Sequence, residues 1–338
     1  MLLRTAMNLE GHCFRLFESK AINSNGYWLR MKFKKFSTSS TFNTRGQWSN
    51  KPKLESFQPQ FDNVNIDTRN LTGGRLIKPF FFTLAFSTAS ISGAAIWHYE
   101  NTRPNYFKDW KSSDRAYKYQ RHRNFWSDLN SAAQIFLPIC LANILVFLAW
   151  RVPQLEYTMI KYFCSNPAAK NNCWPMVLST FSHHSFLHIF ANMYVLQSFC
   201  TAATLSMGKE QFLGFYMAAG AVASFASYVH KVIASKPGLS LGASGAIMGI
   251  LGYTCVTYPD IQLSIILLPF FTFKAGLAIK VIMGLDLAGV LLGWRFFDHA
   301  AHLGGAAFGI FWGLWGNQHI WQKREIMVKY WRDFKKKI

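Results

Sequence analysis

Three groups of reactive side chains sit inside apolar runs of this chain. In "SLGASGAIMG" (residues 240–249), Ser244 stands between Gly242 and Gly245. A serine flanked in this way suggests a nucleophile, but the strand-to-helix elbow of soluble hydrolases reads Gly-x-Ser-x-Gly. Here the second glycine comes one place early and Ala246 takes its position. Small residues also let membrane helices pack closely, so the string alone has a purely structural reading. In "FSHHSFLHIFANMYVL", His184, His188 and Asn192 recur every four residues and so share one face of an expected helix, with His183 just before it. In "DHAAHLGGAAFG", His299 and His302 precede Gly305 and Gly309.

Together these residues can carry acyl transfer. Ser244 is a weak nucleophile until a base takes its proton, and His302 is the natural base if the two glycine-faced helices meet. At 100° per residue the face made by Gly305 and Gly309 is centred roughly 40° from His302 and roughly 100° from His299, which favours His302. The oxyanion of an attacked amide needs fixed donors, and the Asn192 amide, the His188 ring and the Ser244 backbone N–H are candidates. Other readings use the same histidines. They can hydrogen-bond between helices, bind zinc through His184 and His188 with Asp286 or His299, or ligate haem. Against zinc, Ser185 stands where the intramembrane metalloprotease pattern His-Glu-x2-His has its glutamate base; against haem, "GASGA" is left unexplained. No metal and no cofactor is expected.

The elements that must position these residues are membrane helices. The 338 residues are 51% hydrophobic, 17% aromatic and only 15% charged, outside the range of an ordinary soluble domain. A net charge of +20 invites a nucleic-acid reading, yet the Lys and Arg residues flank long apolar segments instead of forming a stripe. No nucleic-acid partner is expected. About 20 apolar residues span a bilayer, and seven stretches qualify: 79–97, 132–150, 184–206, 211–229, 240–258, 275–293 and 300–317. The predicted fold is an all-α polytopic membrane protein with one helix (79–97) set apart by a basic linker (98–131) from six closely spaced ones (132–317). Between the fifth and sixth, "IQLSIILLPFFTF" is too short to span and contains Pro269, so a re-entrant or interfacial loop is expected there.

Residues 1–53 carry 10 Lys/Arg against Glu10 and Glu18, with a Ser/Thr cluster and no secretory core, the composition of a mitochondrial transit segment. A polar arm (54–78) follows it, and a basic tail (318–338) closes the chain. The basic arm and tail fall on opposite sides of seven spans, so charge does not choose an orientation, and nothing specifies an oligomeric state. Six cysteines show no metal spacing; Cys164 and Cys173 share one loop, where free thiols are expected. Asp286 lies within the sixth span, where a charge costs about 2.5–3.5 kcal/mol on insertion scales. It can orient a dyad residue or pair with Lys280, and a structural or gating role is favoured.

The sequence resembles the rhomboid intramembrane serine proteases, in particular their mitochondrial presenilin-associated rhomboid-like branch. Three motifs carry the likeness, in order and on separate helices: His183, His188 and Asn192; Gly242, Ser244 and Gly245; Ala301, His302, Gly305 and Gly309. The segments "WRVPQLEYTMIKYFCSNPAAK" and "GWRFFDHAAHLGGAAFGI" resemble the mitochondrial branch, and the likeness spans about 130–330. The resemblance implies a Ser244–His302 dyad without a third residue and an oxyanion hole of Asn192, His188 and the Ser244 amide. Gly242, Gly245 and His183 would support them. It also implies cleavage of single-pass membrane proteins in the mitochondrial inner membrane, with the bilayer as the protein's surroundings, the N-terminus in the matrix and the tail in the intermembrane space. In many bacterial members an aromatic residue one turn after the serine packs on the catalytic histidine; here that position is Met248. Relatives that have lost catalysis act as binding or quality-control proteins, the alternative function, but they typically lack the Ser or the His, and this chain keeps both.

Overall fold

The computed structural model describes residues 71–102, 125–236, 238–265 and 268–337. The expected transit segment, most of the 54–78 arm and most of the 98–131 linker lie outside the described residues. A 3-10 turn (Gly73–Leu76) leads into α1 (Ile77–Thr102), and α2 (Ser131–Ala149) follows, N-capped by Asn130, whose side chain accepts the Ala133 N–H at 2.7 Å. Two short helices, α3 (Glu156–Phe163) and α4 (Trp174–Leu178), shape the next connection. Then come α5 (Phe186–Met207), α6 (Lys209–Ile233) and α7 (Ser244–Thr257). After α8 (Ala275–Leu292), α9 (His299–Phe311) continues as a π-helical coil (Trp312–Trp321), and α10 (Glu325–Lys335) ends the described chain.

Each of the seven apolar stretches contains a helix. Among the described residues four are long and apolar enough to cross a membrane: α1 with its leading turn, α2, α6 and α8. The centre is α6, whose apolar window is 67% buried against 22–28% for the other three. Small residues explain this: Gly214, Ala218, Ala219, Gly220, Ala221 and Ala223 let neighbours approach the α6 backbone. The helix set apart in sequence, α1, packs on α6 where Gly214 meets the Ser90 carbonyl and the Ala94 methyl. Leucines such as Leu141, Leu145 and Leu148 on α2 and Leu277, Leu285 and Leu292 on α8 point outward, as lipid-facing side chains do.

The 262–274 stretch differs from the expected loop. It is an antiparallel hairpin, β1 (Gln262–Ile265) with β2 (Leu268–Lys274), pairing Leu263 with Phe273 and Ser264 with Thr272. A two-strand ladder satisfies backbone groups that an irregular loop would leave to solvent, and Pro269, which has no N–H to donate, is tolerated in so short a sheet. The start of α5 is a second correction. Ser185 is the N-cap, its Oγ accepting the His188 N–H at 3.2 Å, so His184 precedes the helix and does not share a helix face with His188.

Candidate active site

Two helix starts meet at the site. α7 begins at Ser244 because the segment before it is tied down outside the helix: Ser240 and Ser165 exchange backbone hydrogen bonds of 2.7 and 3.0 Å, and the Gly242 N–H donates to the Ser179 carbonyl at 2.9 Å. α9 begins after Asp298, whose side chain caps it by accepting the Ala301 N–H at 3.1 Å. Glycines bring the two helices together. Gly305 faces the Gly245 carbonyl, Gly309 faces the Gly249 carbonyl, and Gly252 faces the Ala306 carbonyl, each so close that a Cβ would collide with backbone.

That approach places His302 Nε2 at 2.9 Å from Ser244 Oγ. On the other side of the ring, His302 Nδ1 lies 3.2 Å from Asp286 Oδ1 on α8, and the same oxygen is 2.7 Å from His299 Nδ1. An ionised Asp286 has no proton to give, so each ring donates Nδ1–H to it and keeps a lone pair on Nε2. For His302 this is the tautomer a base facing Ser244 requires. Asp286, His299 and half-buried His302 thus form one cluster, and Lys280 is not the partner of Asp286. Their ligand atoms lie within 4.8 Å of one another, close enough to hold a metal ion, and the two hydrogen bonds account for the same proximity. His184 is separate: its ring packs on Trp150 at 5.5 Å and its carbonyl accepts from Arg151, so the zinc set built on His184 and His188 is not assembled.

His302 is also flanked by an aromatic ring that the sequence does not point to. Phe297 lies 5.8 Å from it, between centroids, while Met248 packs into an apolar cluster with Leu251, Cys255, Ala275, Ile279 and Ala306. The supporting residues fall around Ser244. A Cβ on Gly242, whose φ is +129°, would come within 2.9 Å of the His188 ring and 3.9 Å of Ser244 Oγ, so the missing side chain keeps open the space between them. His183 is fully buried, accepts the Ala243 N–H at 3.3 Å and packs edge-on against His188 at 4.8 Å. Asn192 is buried one turn on, with its amide donating to the His188 carbonyl at 2.9 Å.

Comparison with known proteins gives the family. A family model described as the rhomboid domain matches residues 170–318. The chain is 48% identical over 271 residues to "Presenilin-associated rhomboid-like protein, mitochondrial" of Homo sapiens, covering 77% of this chain and 72% of that protein. It is 49% identical over the same shares to the Rattus norvegicus protein of that name. A more distant relative, "Rhomboid protein 1, mitochondrial" of Saccharomyces cerevisiae, is 30% identical over 185 residues, covering 54% of this chain and 53% of that one. Membership supports an intramembrane protease role, and the named relatives are mitochondrial. The chain belongs to the rhomboid family, in its mitochondrial presenilin-associated rhomboid-like branch.

Proposed function

We propose that the protein is an intramembrane serine endopeptidase that uses Ser244 and His302 to cut transmembrane segments of single-pass proteins in the mitochondrial inner membrane. The observation that carries this reading is the 2.9 Å contact between His302 Nε2 and Ser244 Oγ, with Asp286 behind the ring. His302 takes the Ser244 proton as Oγ attacks the scissile carbonyl. The oxyanion forms at the N-terminus of α7, where the Ser244 N–H has no intrahelical acceptor and the helix dipole favours negative charge. His188 and Asn192 complete the hole. The imidazolium of His302, stabilised by Asp286, then protonates the leaving amine. A water gives its proton to His302, attacks the acyl-enzyme, and the proton returns to Ser244 as the new carboxylic acid leaves. A polar cavity of about 30 Å³ beside Ser244, lined in part by Ser179, Ser227 and Ser240, offers that water hydrogen-bonding walls.

The length of α7 supports cleavage inside the bilayer. At 14 residues it measures roughly 21 Å, so a helix anchored at one interface of a core about 30 Å thick starts below the other. The one-plus-six arrangement and the inner-membrane location belong to the same reading. A substrate helix must release its backbone hydrogen bonds before Ser244 reaches a carbonyl, so segments with Gly or Pro are the better substrates. The test is a serine-directed fluorophosphonate probe on wild type and Ser244→Ala in membranes. Labelling of wild type alone is expected; equal labelling of both, or of neither, overturns the reading.

A further inference from the structure

Four residues before each member of the dyad stands a residue of a second buried polar cluster. Ser240 precedes Ser244 and Asp298 precedes His302 by the same interval, and Lys231, near the end of α6, joins them. Lys231 Nζ is 2.5 Å from Ser240 Oγ and 3.8 Å from Asp298 Oδ2. Asp298 Oδ2 also accepts from the Ser240 hydroxyl and from Ser227 Oγ on α6 at 2.5 Å, while its other oxygen caps α9. Lys231, Ser227 and Ser240 are all buried.

A buried lysine is costly, and its α6 neighbours include Ser227, Tyr228 and His230. The contacts between α7 and α9 fix how close these helices come, because backbone meets backbone at three glycines. Ahead of both helices, a separate set of side-chain contacts joins the two helix starts. Both leaders, 240–243 and 293–298, are non-helical; backbone hydrogen bonds to Ser165 and Ser179 hold the first, and side chains link it to the second. The cluster Lys231–Ser240–Asp298 spans that gap. Burial raises the Asp298 carboxyl pKa, but the Lys231 ammonium and the hydrogen bonds from Ser227, Ser240 and the Ala301 N–H outweigh it and hold the group below the usual carboxylate value.

We propose that Lys231, through Ser240 and Asp298, is a positioning residue that sets the Ser244–His302 distance by tying the leader of α7 to the N-cap of α9. The inference rests on reading Ser244 and His302 as the dyad. Ser240→Ala is the gentlest variant, because it removes the bridging hydroxyl and leaves the two charges 3.8 Å apart. Lys231→Arg is the conservative partner and Lys231→Met the severe one. On the full chain in detergent, fluorophosphonate labelling and the thermal midpoint are measured together. Ser240→Ala is expected to label roughly tenfold more slowly with an almost unchanged midpoint, and Lys231→Arg to stay nearer to wild type than Lys231→Met. Cleavage of a model substrate is expected to lose kcat with KM unchanged. Wild-type labelling rates in folded Ser240→Ala overturn the proposal. A second readout needs no catalysis: oxidative crosslinking of Ser244→Cys to His302→Cys, mapped by mass spectrometry, is expected to slow when Ser240→Ala is added. An unchanged crosslinking rate likewise overturns it. Failure of wild type to label, with crosslinking still sensitive to Ser240, sinks the protease reading and leaves the clamp standing.

Discussion

The carbonyl of Gly245 occupies the place where a side chain on Gly305 would begin. The dyad therefore depends on a missing methyl group on each of two helices. Gly305→Ala is expected to destabilise the protein by about 1–3 kcal/mol, since backbone cannot yield as a flexible side chain can, and to separate Ser244 from His302. Gly284→Ala in α8 is the control: nothing lies within 4 Å of its Cβ position, so only the roughly 0.8–1 kcal/mol gain in helix propensity remains. The thermal midpoint and probe labelling are measured for both. Equal behaviour of the two variants would contradict the packing.

Much of this contact was legible in the sequence because it is periodic. Gly245, Gly249 and Gly252 recur on one side of α7, Gly305 and Gly309 on one side of α9, and the angular offset of His302 from that face selects it over His299. Residues brought in from elsewhere were legible at most as candidates, as Asp286 was for orienting a dyad residue. Asp286 reaches the histidines from α8, Phe297 from the loop before α9, and Lys231 from α6. None has a local spacing that names its partner. The docking of α1 on Gly214 and the pairing of 262–274 as a hairpin are long-range or tertiary outcomes of the same kind. Helix starts misled for a different reason. Ser185 withdraws its own hydroxyl from periodicity to cap α5, which strands His184 outside.

His302→Gln is expected to abolish both proteolysis and probe labelling, because among the described residues no other base stands within hydrogen-bond reach of Ser244. His299→Gln is expected to keep most of its labelling. Gln can still donate to Asp286, and His302 retains its own bond to that carboxylate. Labelling rates of the two variants in matched membranes decide; a silent His299→Gln beside a reactive His302→Gln would reverse the assignment.

Asp286→Asn tests whether the carboxylate matters to the dyad or only to packing. An amide of the same shape presents donor hydrogens as well as an oxygen, so it no longer enforces Nδ1–H on both rings. In serine triads the equivalent change costs about 10⁴ in kcat. With the carboxylate shared between His299 and His302, a loss of at least about tenfold in kcat is expected, at a KM near that of wild type. Unchanged kcat in a folded variant would make Asp286 a packing residue only.

Asn192→Ala probes the oxyanion hole. One amide hydrogen is already spent on the His188 carbonyl, leaving the second for the oxyanion. Losing one such donor typically costs about 10²–10³ in kcat. Turnover of a model substrate is expected to fall into that range without vanishing, since His188 and the Ser244 amide remain. Full activity would remove Asn192 from the hole.

The thiol of Cys164 reports on the segment that presents Ser244. It is 2% exposed at the end of α3, next to Ser165, whose backbone pairs with Ser240. Burial pushes its pKa up to about 12, and the nearby Lys231 charge offsets this only in part. At pH 8 the thiolate fraction is then on the order of 10⁻⁴, and the sulfur is shielded as well, so native protein should resist N-ethylmaleimide for hours. Denatured protein should react at once. Partly exposed Cys173, also free, should be modified before Cys164 in the native state. Cys164 adjoins the Ser165–Ser240 bridge, so its modification on heating is expected to coincide with loss of fluorophosphonate labelling at Ser244. Mass mapping of both adducts along one temperature ramp measures this, and Cys164 modified in protein that still labels fully would break the link between the bridge and the nucleophile.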